Sequence, residues 1–342
     1  MKLLVFGDLH VGKRYSNTYF LDLDMKAVDL VCEEAKRSKA DKIIFLGDFF
    51  HDRSDSTPKA MVYAREILDK LNALGIPVIM IIGNHDLYYN NKRDYNYYRI
   101  FEGLFNNILF IETIQEDGEL LYVGWMQTPE EQAQYNKLAK NHKWIFGHFE
   151  FKGAEMSEFY KTKEGLENTN ENSYIFSGHI HQRSRQGRLH YIGSPYPYTW
   201  NGKNRKDYGY VLIDTDTEEI KFTDLRLYHF NDYKLQKLLM MIHMDNEAVK
   251  KEMLNSETNI KVDVPLDERQ LVDLKIYLNN TFKPKDLIVE KEDFSTSSEN
   301  VSYDKLQLNS PTEFITDYIL GMKIEEIQKN RILEKVKKIL VT

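Results

Sequence analysis

The sequence predicts an α/β fold of two packed mixed β-sheets flanked by helices, followed by a small α/β accessory domain and a C-terminal helical module. Three observations predict it. Up to Leu225, short apolar runs alternate with segments of helical period, as an α/β architecture requires. From Glu119 to Phe222 the pattern shifts toward strands, which implies a second sheet packed on the first. Five apolar runs end in Gly followed at once by a side chain able to bind a metal, and open α/β sheets place ligand sites at strand C-termini.

In chain order, Lys2–Phe6, Lys42–Leu46, Val78–Ile82, Trp144–Phe146 and Tyr174–Phe176 read as strands. Between them, Met25, Val28, Val31, Cys32 and Ala35 share one helical face, and Met61, Ala64, Leu68 and Leu71 share another. Ser56 or Thr57 can cap the second helix, Pro58 suits its first turn, and Gly75 marks its end. Leu189–Gly193, Tyr208–Asp214 and Glu219–Thr223 are the later strands. Beyond Leu227 a smaller unit is expected, with strands at Asn259–Val264 and Leu287–Glu292 flanking a helix from Asp267 to Asn279. The acidic, serine-rich stretch that follows reads as a linker. After it, Phe314, Ile315, Tyr318 and Ile319, then Ile324, Ile327, Leu333, Val336 and Leu340, form two apolar stripes. Two short helices bury little alone, so they need either a partner or their own chain. The expected limits are 1–226, 227–292, a linker at 293–310 and a helical module at 311–342.

Composition narrows the class. A chain of 342 residues, 42% hydrophobic and 29% charged, is ordinary for a globular protein of two or three domains, and no apolar run approaches a bilayer span. The N-terminal apolar run has no small-residue cleavage site after it, so it reads as a strand and a cytoplasmic location is expected. The single cysteine, Cys32, excludes a disulfide framework. A net charge of −7 speaks against nucleic acid, but bound cations escape that count. Local charge differs as well: Arg183, Arg185, Arg188, Lys203, Arg205 and Lys206 lie in a stretch without Asp or Glu.

The five motifs are Gly7-Asp8-Leu9-His10, Gly47-Asp48, Gly83-Asn84-His85-Asp86, Gly147-His148 and Gly178-His179-Ile180-His181. Taken singly each could be a turn. Together they bring carboxylates, imidazoles and an amide to one sheet edge, a donor set that suits Mn²⁺, Fe²⁺ or Zn²⁺ better than Ca²⁺. Two such ions can act on both the attacking and leaving oxygens at phosphorus.

This order of motifs, with GDFFH at Gly47–His51 and GSPYPYTW at Gly193–Trp200, resembles the calcineurin-like metallophosphoesterases. Within them it is similar to the SbcD and meiotic-recombination-eleven type of DNA-repair nuclease, nearest to its phage form, the nuclease subunit of a phage recombination endonuclease. The resemblance implies that Asp8, His10 and His181 bind one metal, that Asn84, His148 and His179 bind the other, and that Asp48 bridges them. It makes His85 the catalytic histidine that protonates or stabilises the leaving oxygen. His51 is a second catalytic candidate, and Asp86 either orients His85 or closes a turn.

The resemblance further implies two divalent ions, Mn²⁺ foremost, and DNA exonuclease and endonuclease activity in recombination and repair. It also implies a homodimer, a DNA-capping role for the small domain, and an SbcC-type coiled-coil ATPase partner on the C-terminal helices. Basic residues interleaved with aromatics give Lys13, Arg14, Lys92, Arg93, Arg183, Arg185 and Arg188 as candidate DNA contacts. Two other readings stand beside this one. A phosphatase or cyclic-nucleotide phosphodiesterase could use the same metals but needs neither small domain nor terminal helices. A non-cutting DNA-binding scaffold would not need the full ligand set.

Overall fold

The computed structural model describes residues 1–291 except 90, 158–159, 164, 168–171, 199–206, 255, 264–265 and 267. The expected linker and helical module, and Trp200, Lys203, Arg205 and Lys206, lie outside the described residues. The chain divides into two compact units, Met1–Leu227 and Tyr228–Thr342.

The first unit contains two six-stranded sheets. In the first sheet, Lys2–Phe6, Lys42–Phe45, Val78–Ile81 and Ile108–Ile111 run parallel. Gly209–Asp214 and Glu219–Asp224 extend it antiparallel beyond Lys2–Phe6. The second sheet centres on parallel strands Leu120–Val123, Trp144–Gly147, Tyr174–Ser177 and Leu189–Tyr191, with Ile114–Asp117 and Ser184–Gln186 antiparallel at its edges. Both sheets are therefore mixed.

The strand period of two separates the cores. Trp144 and Phe146 join Leu3, Val5, Ile44 and Ile81 in a buried layer shared by the sheets. Ile145, one step out of phase, joins Leu121, Ile175 and Tyr135 on the opposite face. Helices follow the apolar stripes: Thr18–Ser38 buries Val28, Val31 and Ala35, and Pro58–Asn72 buries Ala64, Ile67 and Leu68. Thr57 caps the latter, its hydroxyl accepting from the Ala60 N–H at 3.1 Å. Cys32 is buried, which pushes its thiol up to about 11. No helix among the described residues is long and apolar enough to cross a membrane.

The second unit holds more elements than the pattern predicted. A parallel sheet joins Ser256–Val262 to His229–Lys234 on one side and Asp286–Lys291 on the other. Helices Leu235–Met244 and Asn246–Leu254 precede the central strand, and Glu268–Phe282 follows it. Leu238, Ile242, Met253, Ile260, Leu278 and Phe282 form its core. The missed strand, HFNDYK, is mostly polar and shows no apolar alternation, so only its pairing reveals it.

Candidate metal centre

All five glycine-led motifs sit at strand C-termini: three on the first sheet and two on the second. The turns are tight enough to need the glycines. Gly47 has φ +100°, and a Cβ there would lie 2.6 Å from His148 Nδ1; a Cβ on Gly83 would lie 2.2 Å from Asp48 Oδ1. Beyond the strands the first two loops stay paired, with Asp8 N–H donating to Gly47 O at 2.9 Å and His10 N–H to Asp48 O at 3.0 Å. Asp8, His10, Asp48 and His179 all hold positive φ, between 52° and 76°. Such backbone is sparsely populated for non-glycine residues and collects at functional sites.

Asp86 locks this arrangement from below. Its buried carboxylate accepts from the N–H groups of Phe49 at 2.9 Å, Phe50 at 3.0 Å and Gly83 at 2.9 Å. It closes the turns and ties the second motif to the third. Burial pushes it up to about 7.

The side chains converge in two groups, Asp8 with His10, Asp48 and His181, and Asp48 with His148 and His179, each with ligand atoms within 4.8 Å of one another. Asp48 belongs to both. Asn84 closes the second, its Oδ1 lying 3.0 Å from both His148 Nε2 and His179 Nδ1. A third group joins His10, His51 and His85. His85 Nδ1 donates to the His51 carbonyl at 2.6 Å, which leaves Nε2 for other chemistry.

His148 Nδ1 donates to Leu46 O at 2.7 Å, so in the neutral ring Nε2 carries a lone pair. That lone pair meets Asn84 Oδ1 at 3.0 Å and Asp48 Oδ2 at 3.3 Å, three acceptors with no proton among them. Either a cation lies between them or the ring gains a second proton. Without a cation, burial opposes that proton but Asp48 outweighs it and brings His148 up to about 9. In the first group, His10 Nε2 lies 2.9 Å from His181 Nε2, and Asp8 Oδ2 is buried without a hydrogen-bond partner. Burial pushes Asp8 up to about 7 and His181 down to about 3. Asp48 is raised by burial but pulled well below the carboxylate range by His148 and His10. These residues fit divalent cations.

The candidate DNA contacts divide. Lys13 and Arg93 are corrections. Lys13 is 4% exposed, with Nζ donating to Asp24 Oδ1 and Leu9 O, each at 2.7 Å, so it anchors the first loop. Arg93 donates to Trp125 O at 2.8 Å and to Glu131 at 2.6 Å, which neutralises it. Arg14, Lys92, Arg185 and Arg188 are exposed. Arg183 packs over Phe222 and lies 3.9 Å from Asp207.

Three further residues stand at the site, and two of them, Trp125 and Glu150, belong to none of the motifs. Trp125 packs on His179 and His148, with ring centroids 5.1 and 5.8 Å apart. Glu150 Oε2 lies 3.6 Å from His179 Nε2. Tyr198, within the GSPYPYTW run, donates to the Asp8 carbonyl and packs on His10 and His181. The available signal was position: Trp125 follows a strand end, and Glu150 follows His148 by two residues.

The calcineurin-like phosphoesterase family matches residues 1–183. Exonuclease subunit 1 of Enterobacteria phage T4 is 30% identical over 232 residues, 65% of this chain and 67% of that protein. DNA double-strand break repair protein Mre11 of Archaeoglobus fulgidus is 33% identical over 105 residues, 30% of this chain and 23% of its own length. The solved Pseudomonas putida nuclease MPE is similar at 15% identity and a TM-score of 0.30, covering 55% of this chain and 66% of that one, an overlap too loose to carry an argument.

Proposed function

The chain belongs to the calcineurin-like phosphoesterase family, and from that premise we propose that it is a Mn²⁺-dependent DNA exonuclease and endonuclease of recombination and double-strand-break repair. It is a metal-dependent phosphodiesterase with a dinuclear divalent centre. The observation that carries the reading is that one carboxylate, Asp48, belongs to both ligand groups. Asp8, His10 and His181 would hold one ion, and Asn84, His148 and His179 the other. DNA as substrate is supported by what the two relatives are called, an exonuclease subunit and a double-strand break repair protein. The oxygen donors of Asp8, Asp48 and Asn84 accommodate Mn²⁺ beside the imidazoles.

Bound there, two divalent ions supply Lewis-acid activation of the phosphoryl group and of the attacking water. The remaining chemistry belongs to the chain. Two carboxylates cannot neutralise two dications, so the centre keeps positive charge for a phosphodiester although the chain is acidic overall. His85, fixed through Nδ1 by the His51 carbonyl, presents Nε2 to hold or deliver a proton at the leaving oxygen. His51 would help shape the substrate side. Exposed Arg14, Lys92, Arg185 and Arg188 can contact phosphates.

We extend the reading to assembly. The family likeness favours a homodimer through the phosphoesterase domain, a DNA-capping role for residues 227–292, and an SbcC-type ATPase bound by residues 311–342. Labelled single- and double-stranded DNA incubated with the full chain in Mn²⁺, Mg²⁺ or chelator tests the activity. Cutting in Mn²⁺ that chelator abolishes is expected. DNA binding without cutting in any metal would favour a scaffold, and hydrolysis confined to aryl phosphates would favour a phosphatase.

A further inference from the structure

His179 sits between two acceptors. Its Nδ1 is 3.0 Å from Asn84 Oδ1, and its Nε2 is 3.6 Å from Glu150 Oε2. The first is a hydrogen-bond distance and the second an ion-pair contact just beyond one, and a neutral imidazole has a single proton, so it cannot direct an N–H at both acceptors. The conflict disappears if Nδ1 gives its lone pair to a cation and Nε2–H points to the carboxylate. His148, the other imidazole of the group, already has such an anchor in the Leu46 carbonyl.

Glu150 is not a loose surface acid. On one side the Phe149 N–H donates to Ser177 Oγ at 2.9 Å; on the other, the Glu150 carbonyl accepts the Leu166 N–H at 2.8 Å. Gly165 permits that clamp, since a Cβ there would stand 2.5 Å from the Glu150 carbonyl oxygen. Trp125 packs against the His179 ring and limits its rotation.

We propose that Glu150 is a positioning residue: its carboxylate accepts a hydrogen bond from Nε2–H of His179 and so commits the Nδ1 lone pair to the cation shared with Asn84, His148 and Asp48. The inference rests on the two-ion reading of the site. It makes the two ions unequal, because only one depends on His179.

Mn²⁺ titration of the full chain, with Glu150→Ala and Glu150→Gln alongside, tests it by ion affinity without reference to activity. Partners that orient metal-binding histidines typically matter by ~10–100-fold in affinity, so Glu150→Ala should weaken one ion by that factor and leave the other near wild type. Glu150→Gln should recover most of the loss, because its amide oxygen still accepts Nε2–H. Melting without metal should be unchanged, as the side chain is partly exposed. Equal affinities in Glu150→Ala and wild type would overturn the proposal. So would equal weakening of both ions, or no recovery by Gln. A wild-type chain that binds fewer than two ions would instead sink the two-ion reading, and this inference with it.

Discussion

Replacing Asp48 by Asn perturbs the centre at its shared ligand. The side chain is 1% exposed, Oδ1 accepts the His85 N–H at 2.8 Å, and Oδ2 lies 3.5 Å from His10 Nε2 and 3.3 Å from His148 Nε2. Asparagine keeps the shape and can keep the His85 bond. Its NH₂ then stands at the Oδ2 position and offers protons where two ions need an electron pair. An ion present at 100 times its Kd stabilises a fold by about 2.7 kcal/mol, so two would contribute roughly 5 kcal/mol. That stabilisation raises Tm by several degrees. In Asp48→Asn the Mn²⁺-dependent rise should vanish. The Mn²⁺-dependent shift is read within each protein, because the metal-free variant also loses the Asp48–His148 ion pair. Loss of several kcal/mol of charge stabilisation at phosphorus corresponds to cutting slowed on the order of 10³-fold or more. Thermal melts with and without Mn²⁺, metal analysis and cleavage rates read these effects. A variant that retains two ions and cuts near the wild-type rate would refute the shared-ligand argument.

His85→Gln keeps hydrogen bonding but removes proton transfer, so it should hold two ions and bind DNA normally while cutting ~10²–10⁴-fold more slowly; full metal content with wild-type cleavage would remove His85 from the mechanism. Replacing Arg183, Arg185 and Arg188 together by Ala should flatten the salt dependence of DNA binding, by roughly 0.7 in log–log slope for each lost phosphate contact on single strands. An unchanged slope would show that these arginines are only solvated. Burial, aided by Arg185 and Arg183, holds His190 down at about 4, below the unfolded value near ~6.5. The unfolded chain therefore binds the extra proton, and stability present above about pH 6.5 is lost as pH falls toward 4, by up to roughly 3 kcal/mol. His190→Gln should flatten that acid limb of the metal-free melting profile, and a profile identical to wild type would count against the assignment.

The motifs were legible in sequence because each combines two local demands, a strand that must end and a ligand that must follow it. Continuous apolar runs marked Lys2–Phe6, Lys42–Phe45, Val78–Ile81, Trp144–Gly147 and Tyr174–Ser177, and the glycines marked their ends. Edge strands were harder. Ile114–Asp117, with the sequence IQED, has little apolar content and forms because Leu120–Val123 lies beside it. His229–Lys234 is similar, since its pairing with Ser256–Val262 crosses two helices.

By itself the sequence determined the α/β architecture, the ligand-type residues and their chain order, because strand period, glycine and donor chemistry are local properties. Only the tertiary structure decided which of those residues share a cluster, since Asp48 and His148 come from different sheets. It alone distinguished buried from exposed charge. Lys13 and Arg14 are adjacent in sequence, yet one is buried against Asp24 and the other is exposed. It also brought Glu150 to His179 and Trp125 over both imidazoles. Such contacts depend on packing between segments distant along the chain, which local residue type and spacing do not encode.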